Sequence, residues 1–183
     1  MSSAITQKSD IASVVTEQPG TDAQHNFYFC GSIRGGQQDV DIYMQIIKHL
    51  KTHGSVLTEH VGDAVHTAEL MKVRVKLERE KGAAMLELTD QKIWDIDMAW
   101  LKSSHAVIAE CTTTSMGVGY EIGIAESLAK PILCLYRKDK DVAKLSAMIT
   151  GNPKVYVKYY ETVPEACTIV DEFLKGLGLG LRK

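Results

Sequence analysis

The chain reads as an α/β domain: a single doubly wound, five-stranded parallel sheet of the Rossmann-like or flavodoxin-like kind, with helices on both faces. Three observations predict this. Short apolar or aromatic runs recur at 27–30, 55–58, 106–109, 132–136 and 155–159. Stretches with apolar residues at helical spacing separate most of them. Strands that alternate with helices pair in parallel through right-handed crossovers. A length of 183 residues is enough for one sizeable core.

The elements follow in order. Phe27-Tyr-Phe-Cys30 is a short strand, and alternation sends Tyr28 to the face opposite Phe27 and Phe29. It runs into a glycine-rich turn, Gly31-Ser-Ile-Arg-Gly-Gly36. Ile42, Tyr43, Ile46, Ile47 and Leu50 then mark a helix over 40–51, stopped by Gly54. The second strand, 55–58, ends in Glu59 and His60. A charged stretch follows within 62–89, a helical insertion that reads either as a lid or as a solvated excursion; its β-branched residues weaken the helical pattern. Ile93, Trp94, Met98, Trp100 and Leu101 predict a helix over 91–101. The third strand at 106–109 leads to Ser115-Met-Gly-Val-Gly-Tyr-Glu121, read as a turn, with a helix from about 120 to 129. The strands at 132–136 and 155–159 and a closing helix over 164–174 complete the domain. Residues 1–24, rich in Ser, Thr, Gln and Ala, read as a disordered tail, 25–176 as the domain, and 177–183 as a flexible tail. A strand order of 2-1-3-4-5 sets a switch point between the first and third strands, so both glycine-rich turns face one crevice.

Composition narrows the class. A net charge of −2, with no basic cluster outside the mixed-charge segment Lys72–Lys81, argues against a nucleic-acid surface. No run of eighteen apolar residues is present, so no membrane partner is expected. Cys30, Cys111, Cys134 and Cys167 form no C-x-x-C pair and read as small buried hydrophobes of an intracellular protein, cytoplasmic or nuclear. No metal or redox cofactor is expected, since the first turn is not G-x-G-x-x-G.

The turn at 115–121 carries the chemistry. Backbone N–H groups at a helix start favour an anion, and glycines let it come close. A glutamate beside such a site suggests work on a phosphorylated small molecule. Read as lying in the first helical turn, Glu121 gains about 0.3–1 kcal/mol for its ionised form. Asp95 and Asp97 lie about 200° apart on their helix, so at most one faces the crevice.

Cys30-Gly-Ser-Ile-Arg-Gly-Gly36, Leu57-Thr-Glu-His60, Ser115-Met-Gly-Val-Gly-Tyr-Glu121 and Leu145-Ser-Ala-Met-Ile149, with Asp97 between the second and third, together resemble the 2'-deoxynucleoside 5'-phosphate N-hydrolases of the nucleoside 2-deoxyribosyltransferase superfamily. The resemblance implies hydrolysis of the bond between base and sugar in a deoxynucleoside monophosphate. It makes Glu121 the nucleophile, Asp97 the proton-transfer carboxylate and Tyr28 a catalytic tyrosine beside them. Ser115, Gly117, Gly31, Ile33, Arg34, Gly35, His60, Ser146 and Met148 become substrate-binding positions, with His60 beside the base. It also implies a homodimer in which Ser146 is donated to the partner's site, with no cofactor.

Each residue has an ordinary structural alternative. Ser115 and Ser146 suit helix caps, Tyr28 a core strand position, and His60 a loop. Glu110, at a strand end, reads as a crevice residue without a chemical step. Base exchange to another nucleobase, hydrolysis of a modified ribonucleotide such as hydroxymethyl-CMP, and nucleotide sensing without catalysis remain open. The insertion at 62–89 is longer than in the vertebrate-type relatives, and it leaves base preference open.

Overall fold

The computed structural model describes residues 25–33, 39–62, 89–138 and 145–179. Five parallel strands lie in the order β2-β1-β3-β4-β5. They are β1 (Asn26–Cys30), β2 (Ser55–Val56), β3 (Ala106–Glu110), β4 (Ile132–Arg137) and β5 (Val155–Tyr160). The helices are α1 (Val40–Leu50), α2 (Asp90–Ser103), α3 (Met116–Ser127), the short α4 (Ala147–Thr150) and α5 (Val163–Gly176), with a 3-10 turn at Glu59–Gly62. The expected class and strand order are therefore observed. The second strand is shorter than expected, because the chain turns after Val56 into the 3-10 segment.

Strand alternation divides the core in two. Phe27, Phe29, Ile108 and Leu135 face α1 and α5, meeting Tyr43, Ile46, Leu50, Val170 and Leu174. Tyr28, Cys30, Val107 and Ala109 face α2 and α3, meeting Met98, Leu101, Val118 and Ile122. Burying a side chain of this size stabilises by roughly 1.5–3 kcal/mol, so a strand sealed on both faces holds its register firmly. In that register Tyr28 pairs with Val107 and Cys30 with Ala109.

Two local features differ from the sequence reading. The helix after β3 begins at Met116, so 116–121 is helical and not a turn. Ser115 caps it by accepting a hydrogen bond from the Val118 N–H at 3.4 Å, and Val118, Ile122 and Ala125 bury one face. The cap and burial override the glycines, which cost about 1 kcal/mol each. Beyond α5, Leu177 and Leu179 pack against the α1–α5 core, with the Leu179 N–H closing onto Leu174 O at 2.8 Å. The expected tail at 1–24 and nearly all of the expected insertion at 62–89 lie outside the described residues. Among the described residues no helix is long and apolar enough to cross a membrane.

Candidate active site

Three elements on one face of the sheet bring Tyr28, Asp97 and Glu121 together. Met98 and Leu101 anchor α2 in the core, which leaves Asp97 at the helix edge. Ile122 anchors α3 in the same way and leaves Glu121 beside it. Both carboxylates line a cleft of about 260 Å³, together with Gly117, Trp94 and Tyr120. Tyr28, fully buried on β1, donates its hydroxyl hydrogen to Glu121 Oε1 at 2.6 Å. The buried Cys30 thiol lies on the same face and lowers the proton affinity of Glu121. Asp95 instead accepts from Gln91 on its own helix at 3.0 Å, so only one of the two aspartates belongs to the cleft.

Burial sets the electrostatics. Desolvation raises Glu121 from 4.5 to about 7, against the lowering effect of the Tyr28 hydrogen bond, with the Asp97 charge adding to the rise. Desolvation alone raises Asp97 from 3.8 to about 6. The pair therefore holds close to one proton between pH 6 and 7; because Glu121 is the higher of the two, that proton resides more on Glu121, and the form with Glu121 ionised and Asp97 protonated is the minor one. Burial and the neighbouring carboxylates push the Tyr28 phenol up, so it remains a donor. Glu121 lies in the second turn of α3, and the first turn contains no acidic residue. The first-turn helix dipole expected for it therefore does not apply, and desolvation decides its charge.

The other expected positions divide into groups. Gly117 lines the cleft, and an added Cβ there would meet only Ser115 Oγ, at 3.6 Å. Gly31 is buried where a Cβ would lie 2.9 Å from the Tyr43 ring, so packing already requires a glycine. The following Ser32 N–H donates to Tyr43 Oη at 3.2 Å, and Ile33 is exposed. Arg34 and Gly35 lie outside the described residues, as does the side chain of His60 in the 3-10 turn. Ser146 caps α4 by accepting from Met148 N–H at 3.3 Å, and Met148 is 81 % exposed. Neither lines the cleft of its own chain.

Glu110 departs from expectation. It is buried on the α1–α5 face, where Tyr160 Oη donates to it at 2.9 Å and Thr112 Oγ1 donates as well. Alternation along β3 turns it away from the crevice, because it shares a face with Ile108. Beside it, Asp39 pairs with Arg137 Nη2 at 2.9 Å and accepts from Thr113 Oγ1 at 2.6 Å. This tie fixes the start of α1 to the ends of β3 and β4.

Trp94, expected only as a helix position, and Tyr120, expected only within the motif, form an exposed aromatic wall of the cleft. The Trp94 indole N–H donates to Tyr120 Oη at 3.3 Å. The signal was present in the spacing, since Trp94 precedes Asp97 by three positions and shares its helix face.

Two desolvated carboxylates and a buried phenol, beside a capped helix N-terminus at the carboxyl edge of a parallel sheet, define a carboxylate-dependent α/β enzyme. The chain belongs to the nucleoside 2-deoxyribosyltransferase family, whose family model matches residues 27–173. It is 41 % identical over 155 residues to a 5-hydroxymethyl-dUMP N-hydrolase of Esox lucius, covering 83 % of this chain and 97 % of that protein. A Rattus norvegicus protein of the same name is 46 % identical over 132 residues, 72 % of each chain. Among solved structures, a CMP N-glycosidase of Clostridium botulinum shares the fold, with a TM-score of 0.50 and 15 % identity over 81 % of this chain and 99 % of that one.

Proposed function

We propose that this chain hydrolyses the N-glycosidic bond of 2'-deoxynucleoside 5'-monophosphates, releasing free base and 2-deoxyribose 5-phosphate. The observation that carries the reading is the Tyr28–Glu121 hydrogen bond in a cleft shared with Asp97. Glycosidic cleavage passes through an oxocarbenium-like state, which an ionised carboxylate stabilises. Glu121 attacks C1' and forms a deoxyribosyl ester as the C1'–N bond breaks. Asp97 gives its proton to the departing base, then takes one from the water that attacks C1' and frees Glu121. Division into two displacements lowers the barrier of each. Tyr28 orients the nucleophile and restrains its proton affinity.

The N-terminus of α3, with Ser115 and Gly117, is the proposed phosphate site, with Gly31, Ile33, Arg34 and Gly35 proposed to contribute from the sequence that follows β1. His60 is proposed beside the base, and the exposed Trp94–Tyr120 wall suits a planar ring. The relatives named for 5-hydroxymethyl-dUMP support a phosphorylated, pyrimidine-bearing substrate. We further propose an intracellular homodimer, cytoplasmic or nuclear, in which Ser146 and Met148 complete the partner's site; a monomer by light scattering removes that part.

The test is base release from a panel of deoxynucleoside monophosphates, nucleosides and ribonucleotides, with and without an acceptor base. Release from deoxy monophosphates by water alone supports the reading. Turnover of nucleosides only with an acceptor base replaces it with transfer, and binding without release replaces it with sensing.

Two variants probe the assignments. Ser115→Ala is expected to raise KM for monophosphates about tenfold and leave nucleosides unaffected; equal effects on both remove the serine from the phosphate site. Tyr28→Phe removes a donor that lowers the Glu121 pKa. Its kcat/KM is expected to fall about ten- to hundredfold, with the ascending pH limb displaced upward. An unmoved limb means that Tyr28 acts only in packing.

A further inference from the structure

His49 lies in the last turn of α1, and the chain keeps turning past Leu50, with Thr52 and His53 N–H groups donating to the His49 and Leu50 carbonyls at 2.9 and 3.0 Å. The two histidines, four positions apart, therefore share one side. Both meet Asp171 of α5: His49 Nε2 and His53 Nε2 each lie 2.6 Å from the same Asp171 Oδ1. The trio occupies the sheet face that Glu121 does not. It also lies at the far edge, because α1 and α5 run back toward the amino ends of the strands. No step of the proposed reaction uses it.

We propose that His49, His53 and Asp171 bind a divalent transition-metal ion of the zinc type. Their ligand atoms lie within 4.8 Å of one another. Two imidazoles and one carboxylate select zinc, cobalt, nickel or copper over calcium and magnesium, which require oxygen-rich sets. The His53 side chain is 5 % exposed and fixed, whereas those of His49 and Asp171 are 30 % and 47 % exposed. That leaves one open side for a water ligand.

Zinc–nitrogen bonds of about 2.0–2.1 Å in a tetrahedron separate ligand atoms by roughly 3.3 Å. The 2.6 Å contacts therefore open by about 0.7 Å when an ion enters, a movement the two half-exposed side chains can make. In the metal-free protein each ring donates its Nε2 hydrogen to the one carboxylate oxygen. Coordination through Nε2 shifts that proton to Nδ1 in both rings, so charge and protons balance without release. Among the described residues, Nδ1 of His53 is buried with no hydrogen-bond partner. Outer partners of ligating histidines are worth about 10–100-fold in affinity, so a micromolar rather than nanomolar dissociation constant is expected. Its effect is a cross-link between α1 and α5.

The test uses the full chain freed of metal by a chelator, titrated with Zn²⁺ and Co²⁺ in a calorimeter and followed by thermal melting. The expected result is one ion per chain at micromolar Kd, with a Tm that rises with metal concentration. Tetrahedral visible bands are expected with Co²⁺. His49→Gln and Asp171→Asn, both at half-exposed positions and checked for folding by circular dichroism, are each expected to weaken binding at least about tenfold and to lose the Co²⁺ bands. Absence of saturable binding overturns the proposal and leaves the trio a metal-free clamp between helices. Equal affinity in wild type and both variants overturns it too, and assigns the metal to other histidines or cysteines.

Discussion

Replacing Glu121 by Gln is expected to abolish base release, by at least about 10⁴-fold, while the monophosphate still binds. The amide keeps the size and the hydrogen-bonding capacity of the carboxyl group, but it has no charge to stabilise an oxocarbenium-like sugar and no oxygen nucleophilic enough to attack it. The same substitution should make the protein more stable at pH 8. Glu121 is raised from 4.5 to about 7, so the folded state holds a proton that the unfolded chain releases between those values. Stability is therefore lost as pH rises from 4.5 to 7, and a neutral side chain removes that loss. Melting curves of wild type and Glu121→Gln should coincide near pH 4 and separate at pH 8, the variant melting higher. A variant with unchanged turnover removes Glu121 from the chemistry. One that is inactive but melts with the wild type at pH 8 removes the desolvated carboxylate from the electrostatic account.

Asp97→Asn is the second large effect, an expected loss of about 10²–10⁴ in kcat. Wild-type kcat/KM should be bell-shaped with its maximum between about 6 and 7, because activity requires one proton on the pair. Below that range both carboxylates are protonated; above it both are ionised. In the variant the descending limb should vanish. The ascending limb should remain, set by Glu121 alone, because Asp97 is already protonated and uncharged at the pH where that limb lies. The deficit should shrink for substrates whose base departs without protonation. A deficit independent of the base would reassign Asp97 to binding.

Much of this arrangement is legible in the sequence. Phe27-Tyr-Phe-Cys30 alternates cleanly, and the structure puts Tyr28 and Phe29 on opposite faces. Asp97 and Glu121 could be placed because each adjoins a periodic apolar anchor, Met98 and Ile122. The start of α3 was misread because two glycines in four residues resemble a turn, and a serine cap outweighs them only when the tertiary core buries Val118. Glu110 was misassigned because proximity in sequence to the motif overrode the period-two rule that turns it toward Tyr160. His49 and His53 were visible as a four-residue repeat, but Asp171 reaches them only through packing of α5 on α1, which no local pattern encodes.

The two-sided burial of β1 bears on which length changes the gene can tolerate. Phe27 and Phe29 fill one side of the strand and Tyr28 and Cys30 the other. Deleting or inserting a single residue within Asn26–Cys30 exchanges the two sets, turning the phenol toward the α1–α5 core and a phenylalanine toward Glu121. One event thus removes both packing and nucleophile support, with no partly functional intermediate. Length variation among descendants of this chain should therefore gather in its connections and spare this five-residue strand.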